Sequence, residues 1–228
     1  MELNADFSER VVVHAGSLDW VASPMAGVDR RMLDRLGDEV ARATTIVRYA
    51  PGSQFSPHVH TGGEEFLVLD GVFQDEHGDF PAGSYIRNPP QSSHTPGSEL
   101  GCTIFVKLWQ FDLADRTAVR MDTAAHGEWS ADAARPGVDV MSLHEDVRET
   151  VRLERWAPGA EVSLDSTFGM EILTLEGGFD ELGDSFTHQS WLRLPSGTSS
   201  TALAGDTGAR VWIKSGHLRE TPQPPTQI

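Results

Sequence analysis

The chain repeats itself, and this limits its fold more than any other feature, because each copy of a repeat must form the same supersecondary unit. Arg48-Tyr49-Ala50-Pro51-Gly52 returns as Arg155-Trp156-Ala157-Pro158-Gly159. Glu65-Phe66-Leu67-Val68-Leu69-Asp70-Gly71-Val72-Phe73 returns as Glu171-Ile172-Leu173-Thr174-Leu175-Glu176-Gly177-Gly178-Phe179. Ser84-Tyr85-Ile86-Arg87-Asn88-Pro89 returns as Ser190-Trp191-Leu192-Arg193-Leu194-Pro195. Upstream, Trp20 and Gly27-Val28-Asp29 match Trp129 and Gly137-Val138-Asp139. The offset is 107 in the first block, 106 in the next two and 109 to 110 upstream. Two homologous units are expected, at 15–113 and 125–217, after an N-terminal extension at 1–14. A linker at 114–124 joins them, and a flexible tail at 218–228 follows. Units of about 100 residues are ordinary small domains.

The repeat also decides the secondary structure. Met32, Leu33, Leu36 and Val40 taken alone fit one face of a helix. The matching stretch of the second copy carries Val147, Val151 and Leu153 at odd positions with polar residues between them, a period of two with a turn near Glu145-Asp146. Homologous units share a fold, so both stretches are read as strands, with the first hairpin turning at Gly37-Asp38. Further strands are expected at 44–50, 65–73, 84–88 and 102–111. Many short strands punctuated by Gly and Pro predict an all-β sandwich or small barrel in each unit.

Composition removes several classes of function. With 18 Lys+Arg against 34 Asp+Glu the formal charge is −16, which counts against nucleic acid and anionic lipid as partners. Cys102 is the only cysteine, so neither an intramolecular disulfide nor a Cys-rich zinc finger can form. It stands in a strand-like run and is read as a buried, inert thiol. The apolar runs are far shorter than the ~20 residues of a membrane helix. Glu2, Asp6 and Glu9 interrupt any signal-peptide pattern, so a cytoplasmic protein is expected.

The chemistry concentrates in the window 52–64. His58 and His60 are two apart, which on an extended strand places both imidazoles on one face. Glu64 follows the Gly62-Gly63 bend and can bring an oxygen to the same point. Glu65 is its rival for that role, or else a group that orients a ligand imidazole. His94, on a later segment, can deliver a third nitrogen. Three histidines and one carboxylate suit zinc, ferrous iron, manganese or nickel. An open position on such a centre can polarise a carbonyl, activate water or bind oxygen. In the second copy Asp165, Thr167 and Ser200 are read at the places of His58, His60 and His94, and Glu171 at that of Glu65. One metal per chain is therefore expected. The other histidines, 14, 77, 126, 144, 188 and 217, lack ligand spacing and are read as solvated. Arg87 and Arg193 recur at one place in both copies and are read as salt-bridge partners. Lys107 and Lys214, the only two lysines, also recur at one place, with no role assigned to them from the sequence. Nucleophile elbows, phosphate loops and dinucleotide fingerprints are absent from the sequence.

Gly52, His58, His60, Glu64 and Gly71 fill every fixed position of the first cupin motif, and Gly83, Pro89 and His94 resemble the second, where Gln91 and Ser98 replace the usual Gly and Asn. The chain is closer still to the cupin domain of ChrR-type anti-sigma factors. It is similar over Arg48-Tyr49-Ala50-Pro51-Gly52, His58 to Glu65, Val68 to Phe73, Asp75-Glu76, Gly83 to Pro89, His94 and Gly101-Cys102. The resemblance implies an all-β bicupin of two tandem double-stranded β-helix (jelly-roll) barrels. It implies zinc on His58, His60, Glu64 and His94 and a regulatory role in oxidative stress, with singlet oxygen as the family's signal. Members of that family grip sigma factors through a separate helical zinc domain with a Cys-x-x-Cys. This sequence has no Cys pair, so direct sigma-factor binding is not expected. The alternative is a metal-dependent cupin dioxygenase acting on a small organic substrate. A small-molecule ligand in the first barrel and a homodimer are both compatible with such a fold.

Overall fold

The computed structural model describes residues 1–38 and 40–225. The chain forms two compact units. Unit 1 comprises Met1–Ala5, Asp19–Gly127 and residues 223–225, and unit 2 comprises Asp6–Leu18 and Glu128–Pro222.

In unit 1 the main sheet runs Val119–Asp122, Ser84–Asn88, Glu64–Asp75, Cys102–Leu108, Ala41–Tyr49, Val28–Gly37, Val21–Ala22, every pairing antiparallel. Ser53–Gln54, Gly78–Pro81 and Gly97–Ser98 pair off this path, and His58–Val59 pairs with Ser93–His94. Unit 2 repeats the order with Val11–His14, Ser190–Leu194, Met170–Glu181, Thr198–Ser215, Thr150–Trp156, Val138–Glu145 and Ser130–Ala131. Alternate residues of these strands make each barrel interior, because successive side chains point to opposite faces. Val28, Val47, Phe66, Val68, Phe73, Ile86, Ile104 and Val106 fill the first. Val162, Leu164, Met170, Ile172, Leu192, Val211 and Ile213 belong to the larger apolar core of the second. The all-β, two-barrel expectation holds.

Four expectations are corrected. Val119–Asp122 is not linker: it is a strand paired with Ser84–Asn88, and Asp122 caps the single helical turn Thr123–His126 by accepting from the Ala124 and Ala125 N–H groups. Val11–His14 is not an extension: it pairs with Ser190–Leu194 in unit 2, and each of these terminal strands satisfies a sheet edge. Leu218 is not tail: it is buried, its N–H donates to Phe168 O and its carbonyl accepts from Ser196 Oγ. The last three residues, 226–228, lie outside the described residues. Val147, counted in the strand alternation, sits in the turn and is 90% exposed.

The face of each sheet opposite the barrel interior carries a repeated ion network. Glu65 lies directly across from Lys107 and from Arg87, and Glu171 across from Lys214 and from Arg193. All six side chains are buried. Arg87 pairs with Glu65 at 3.6 Å and Asp115 at 2.9 Å, Lys107 donates to Thr44 Oγ1 at 2.8 Å, and Lys214 pairs with Glu149 at 3.0 Å. His217 joins the second network through Glu171 at 2.8 Å, and its side chain is buried. This corrects the reading of His217 as solvated. His144, also read as solvated, has a side chain only 7% exposed. Cys102 is buried, and burial pushes its thiol up to about 11.

Candidate metal centre

His58, His60, Glu64 and His94 come together in unit 1, with one donor atom of each lying within 4.8 Å of the others. Local pairing explains how. His58 and His94 are cross-strand partners. The chain continues to His60, whose N–H donates to Ser92 O at 2.9 Å. It then reverses through Gly62-Gly63, where Gly63 adopts φ +79 and donates back to His60 O. That reversal sets Glu64 at the head of the strand Glu64–Asp75, opposite Asn88.

His60 Nε2 lies 3.2 Å from His58 Nε2 and 3.3 Å from Glu64 Oε2, and His94 Nε2 lies 3.5 Å from the same oxygen. A tetrahedral zinc with bonds of about 2.0–2.1 Å separates its donors by roughly 3.3 Å, so the residues present fit the ion.

The outward nitrogens show which way the lone pairs point. His58 Nδ1 faces the Ser56 carbonyl at 3.3 Å, and a carbonyl can only accept. His60 Nδ1 faces Ser92 Oγ at 3.1 Å, whose own proton is committed to Pro89 O at 2.6 Å. His94 Nδ1 faces Asp75 Oδ2 at 3.2 Å. Each Nδ1 therefore carries the proton, and three Nε2 lone pairs converge with a carboxylate oxygen. Burial, with the His94 and His58 rings, holds His60 below the usual imidazole range against the pull of Glu64, which keeps it in its neutral ligating form. Burial also acts to lower His94, but the Asp75 bond and Glu64 outweigh it and hold His94 above that range. Asp75 is held below the usual carboxylate range despite its burial, through the bonds to His94 and the His77 N–H.

The rivalry between the two glutamates is resolved by strand parity. Glu65 points to the opposite face, where it accepts from Tyr85 Oη at 2.7 Å. The residues that hold the cluster are Asp75, Ser92, Asn88 and Arg120. Asn88 donates to Glu64 Oε2 at 3.1 Å and accepts from Arg120 at 3.2 Å. Arg120 lies in the stretch that the sequence presents as linker, although the apolar–polar alternation of Val119-Arg120-Met121-Asp122 is a signal for a strand.

Among the described residues the second barrel has no such cluster, and its register differs by one residue from the sequence reading. Gly63 N–H donates to His60 O, and Gly169 N–H donates to Ser166 O, an offset of 106 at both ends. His94 stands opposite His58, and Ser200 stands opposite Leu164, again an offset of 106. The counterparts of His58, His60, Glu64 and His94 are thus Leu164, Ser166, Met170 and Ser200. The missing residue falls before the first histidine, not after the second. Asp165 and Thr167 are exposed and bond to each other at 2.6 Å. Glu181 takes the place of Asp75, and Arg10 replaces the histidine as its partner, with Nε at 3.0 Å.

An antiparallel jelly roll with a histidine–carboxylate cluster in its barrel defines a cupin. Residues 8–112 match the ChrR Cupin-like domain. No curated protein sequence matches it. Among solved structures it is similar to a candidate dioxygenase of Nostoc punctiforme, at 14% identity and a TM-score of 0.75 over 97% of this chain and 87% of that one. It is similar to the pirin YhhW of Escherichia coli in complex with nickel(II), at 14% identity and a TM-score of 0.62 over 96% and 100%. It is also similar to quercetin 2,3-dioxygenase of Acinetobacter baumannii, at 13% identity and a TM-score of 0.56 over 86% and 80%. These likenesses show the fold. Among the described residues, no helix is long and apolar enough to cross a membrane.

Proposed function

We propose that the first barrel binds one divalent metal, zinc, through His58, His60, Glu64 and His94, and that the protein is a ChrR-type regulatory cupin responding to oxidative stress. The observation that supports the metal is the convergence of three Nε2 lone pairs, each fixed by an acceptor on the opposite ring nitrogen. The bound ion would supply positive charge and a Lewis-acid position. The chain does the rest. Asp75 and Ser92 fix the imidazoles, Asn88 and Arg120 fix Glu64, and the apolar walls keep water from the buried side. His58 is exposed, so a small molecule or oxidant approaches from its side. The regulatory role is supported by the family match.

Protein purified without added metal should carry one zinc per chain by mass spectrometry of the native protein. Zero or two metals overturns the reading. Singlet oxygen should release zinc to a chromophoric chelator, and pull-downs with candidate sigma factors should recover no stoichiometric complex.

A second reading is a metal-dependent dioxygenase, favoured by the exposed His58 side and by the dioxygenases among the similar structures. Iron-loaded protein that consumes oxygen on addition of a diketone or phenol would establish it over the regulatory role.

A further inference from the structure

We infer that Trp109 is a positioning residue for the metal centre, a ring clamped over the His60–Glu64 reversal at the expense of a strained backbone; this rests on the metal reading above. Trp109 has φ +58, a conformation that a bulky L residue rarely adopts. Its ring lies flat on Gly62, where an added Cβ would meet ring carbons at 2.0 and 2.4 Å. Its N–H donates to Gly63 O at 3.1 Å, so ring and backbone both engage the turn between two ligands.

The second barrel shows that the fold does not need this arrangement. There Gly216 N–H makes the matching bond to Gly169 O at 3.0 Å, with φ +91 that glycine adopts freely. The counterpart of Gly62 is Phe168. The pair is inverted, Gly62 with Trp109 in the first barrel and Phe168 with Gly216 in the second. The adjacent contact is not inverted: Gly63 sits under Phe111, and Gly169 sits under Leu218. That contact belongs to the fold. The Trp109 clamp, with its strain, occurs in the barrel that holds the ligand cluster, and Gly62 alone leaves room for it.

The test uses the full chain. Zinc affinity is measured by competition with a chromophoric chelator, and site geometry by the d–d absorption bands of cobalt(II)-loaded protein. Absence of zinc binding by the unaltered chain would remove the metal reading itself. Given binding, the exchange Gly62→Phe with Trp109→Gly, which copies the second barrel, should fold with an unchanged circular dichroism spectrum. It should bind zinc at least about tenfold more weakly and shift the cobalt bands. Trp109→Phe, which keeps a ring over Gly62, should hold zinc within about threefold of the unaltered chain. Unaltered affinity and bands in the exchange variant overturn the proposal. Failure of that variant to fold also overturns it, because the pair would then serve the fold and not the site.

Discussion

The two barrels share strand order, register and the ion network on the face away from the interior, and they differ inside. The Glu65–Arg87–Lys107 and Glu171–Arg193–Lys214 sets occupy matching cross-strand places, all buried. The interiors diverge at all four candidate ligand positions, His58, His60, Glu64 and His94 against Leu164, Ser166, Met170 and Ser200. Both barrels keep a buried carboxylate at this place with a hydrogen-bond donor at hand, Asp75 facing His94 Nδ1 and Glu181 facing Arg10. Network residues depend on one another for charge balance and so persist as a set. The four candidate ligands share no such balance within the second barrel, where two apolar residues, Leu164 and Met170, and two serines, Ser166 and Ser200, stand in their places.

The comparison can be broken or sharpened by substitution. The largest effect is expected in the shared network. Glu65→Gln and Glu171→Gln should each cost about 3–5 kcal/mol in chemical denaturation by leaving buried cations undercompensated, with zinc affinity per folded chain unchanged. A marked difference between the two would end the equivalence of the networks. Next come the ligands. His60→Ala or His94→Ala should weaken zinc by at least about a hundredfold in chelator competition, roughly 2.7 kcal/mol. Leu164→Asn, at the counterpart of His58, should leave zinc affinity intact.

The one-residue register is tested by transplanting the site. Leu164→His with Ser166→His, Met170→Glu and Ser200→His should raise zinc from one to two per chain. The set built on Asp165→His and Thr167→His should leave it at one. Asp75→Ala should weaken zinc about tenfold by freeing the His94 ring, whereas Glu181→Ala should not alter it.

The smallest effect is one of pH. Burial acts to raise Glu154, but Arg152 and Arg135 hold its carboxyl below the usual value of 4.5. Its folded value is lowered, so its contribution to stability is present above the unfolded value and is lost as pH falls through the folded one. The Tm difference between the unaltered chain and Glu154→Gln should therefore be full at neutral pH and shrink below about pH 4.5.

Much of the molecule is legible in one dimension. The repeat, the period of two and the His-x-His spacing are local patterns, and they identify two β barrels and four candidate ligands without reference to distant chain. Glu64 could be preferred over Glu65 because strand parity is itself local. The missing residue of the second copy was harder to place. Asp165-Ser166-Thr167 offers polar residues at both candidate registers, and only burial in the folded chain, with Ser166 enclosed and Asp165 and Thr167 exposed, shows which residue faces inward.

Long-range pairing also decided what the linear order concealed. Val119–Asp122 reads as a connection until it is seen beside Ser84–Asn88, where it brings Arg120 to Asn88 and, through Asn88, steadies Glu64. Val11–His14 and Ser190–Leu194 are about 180 residues apart in the chain and adjacent in the sheet. The sequence by itself determined the number of units, their β character and the residue types that can hold a metal, because these follow from spacing along an extended backbone. The tertiary structure alone decided which strands close each sheet, which residues stand in for the lost ligands and which aromatic covers the ligand turn. Those depend on contacts between distant segments, whose register is set by packing and backbone hydrogen bonds and not by any local pattern.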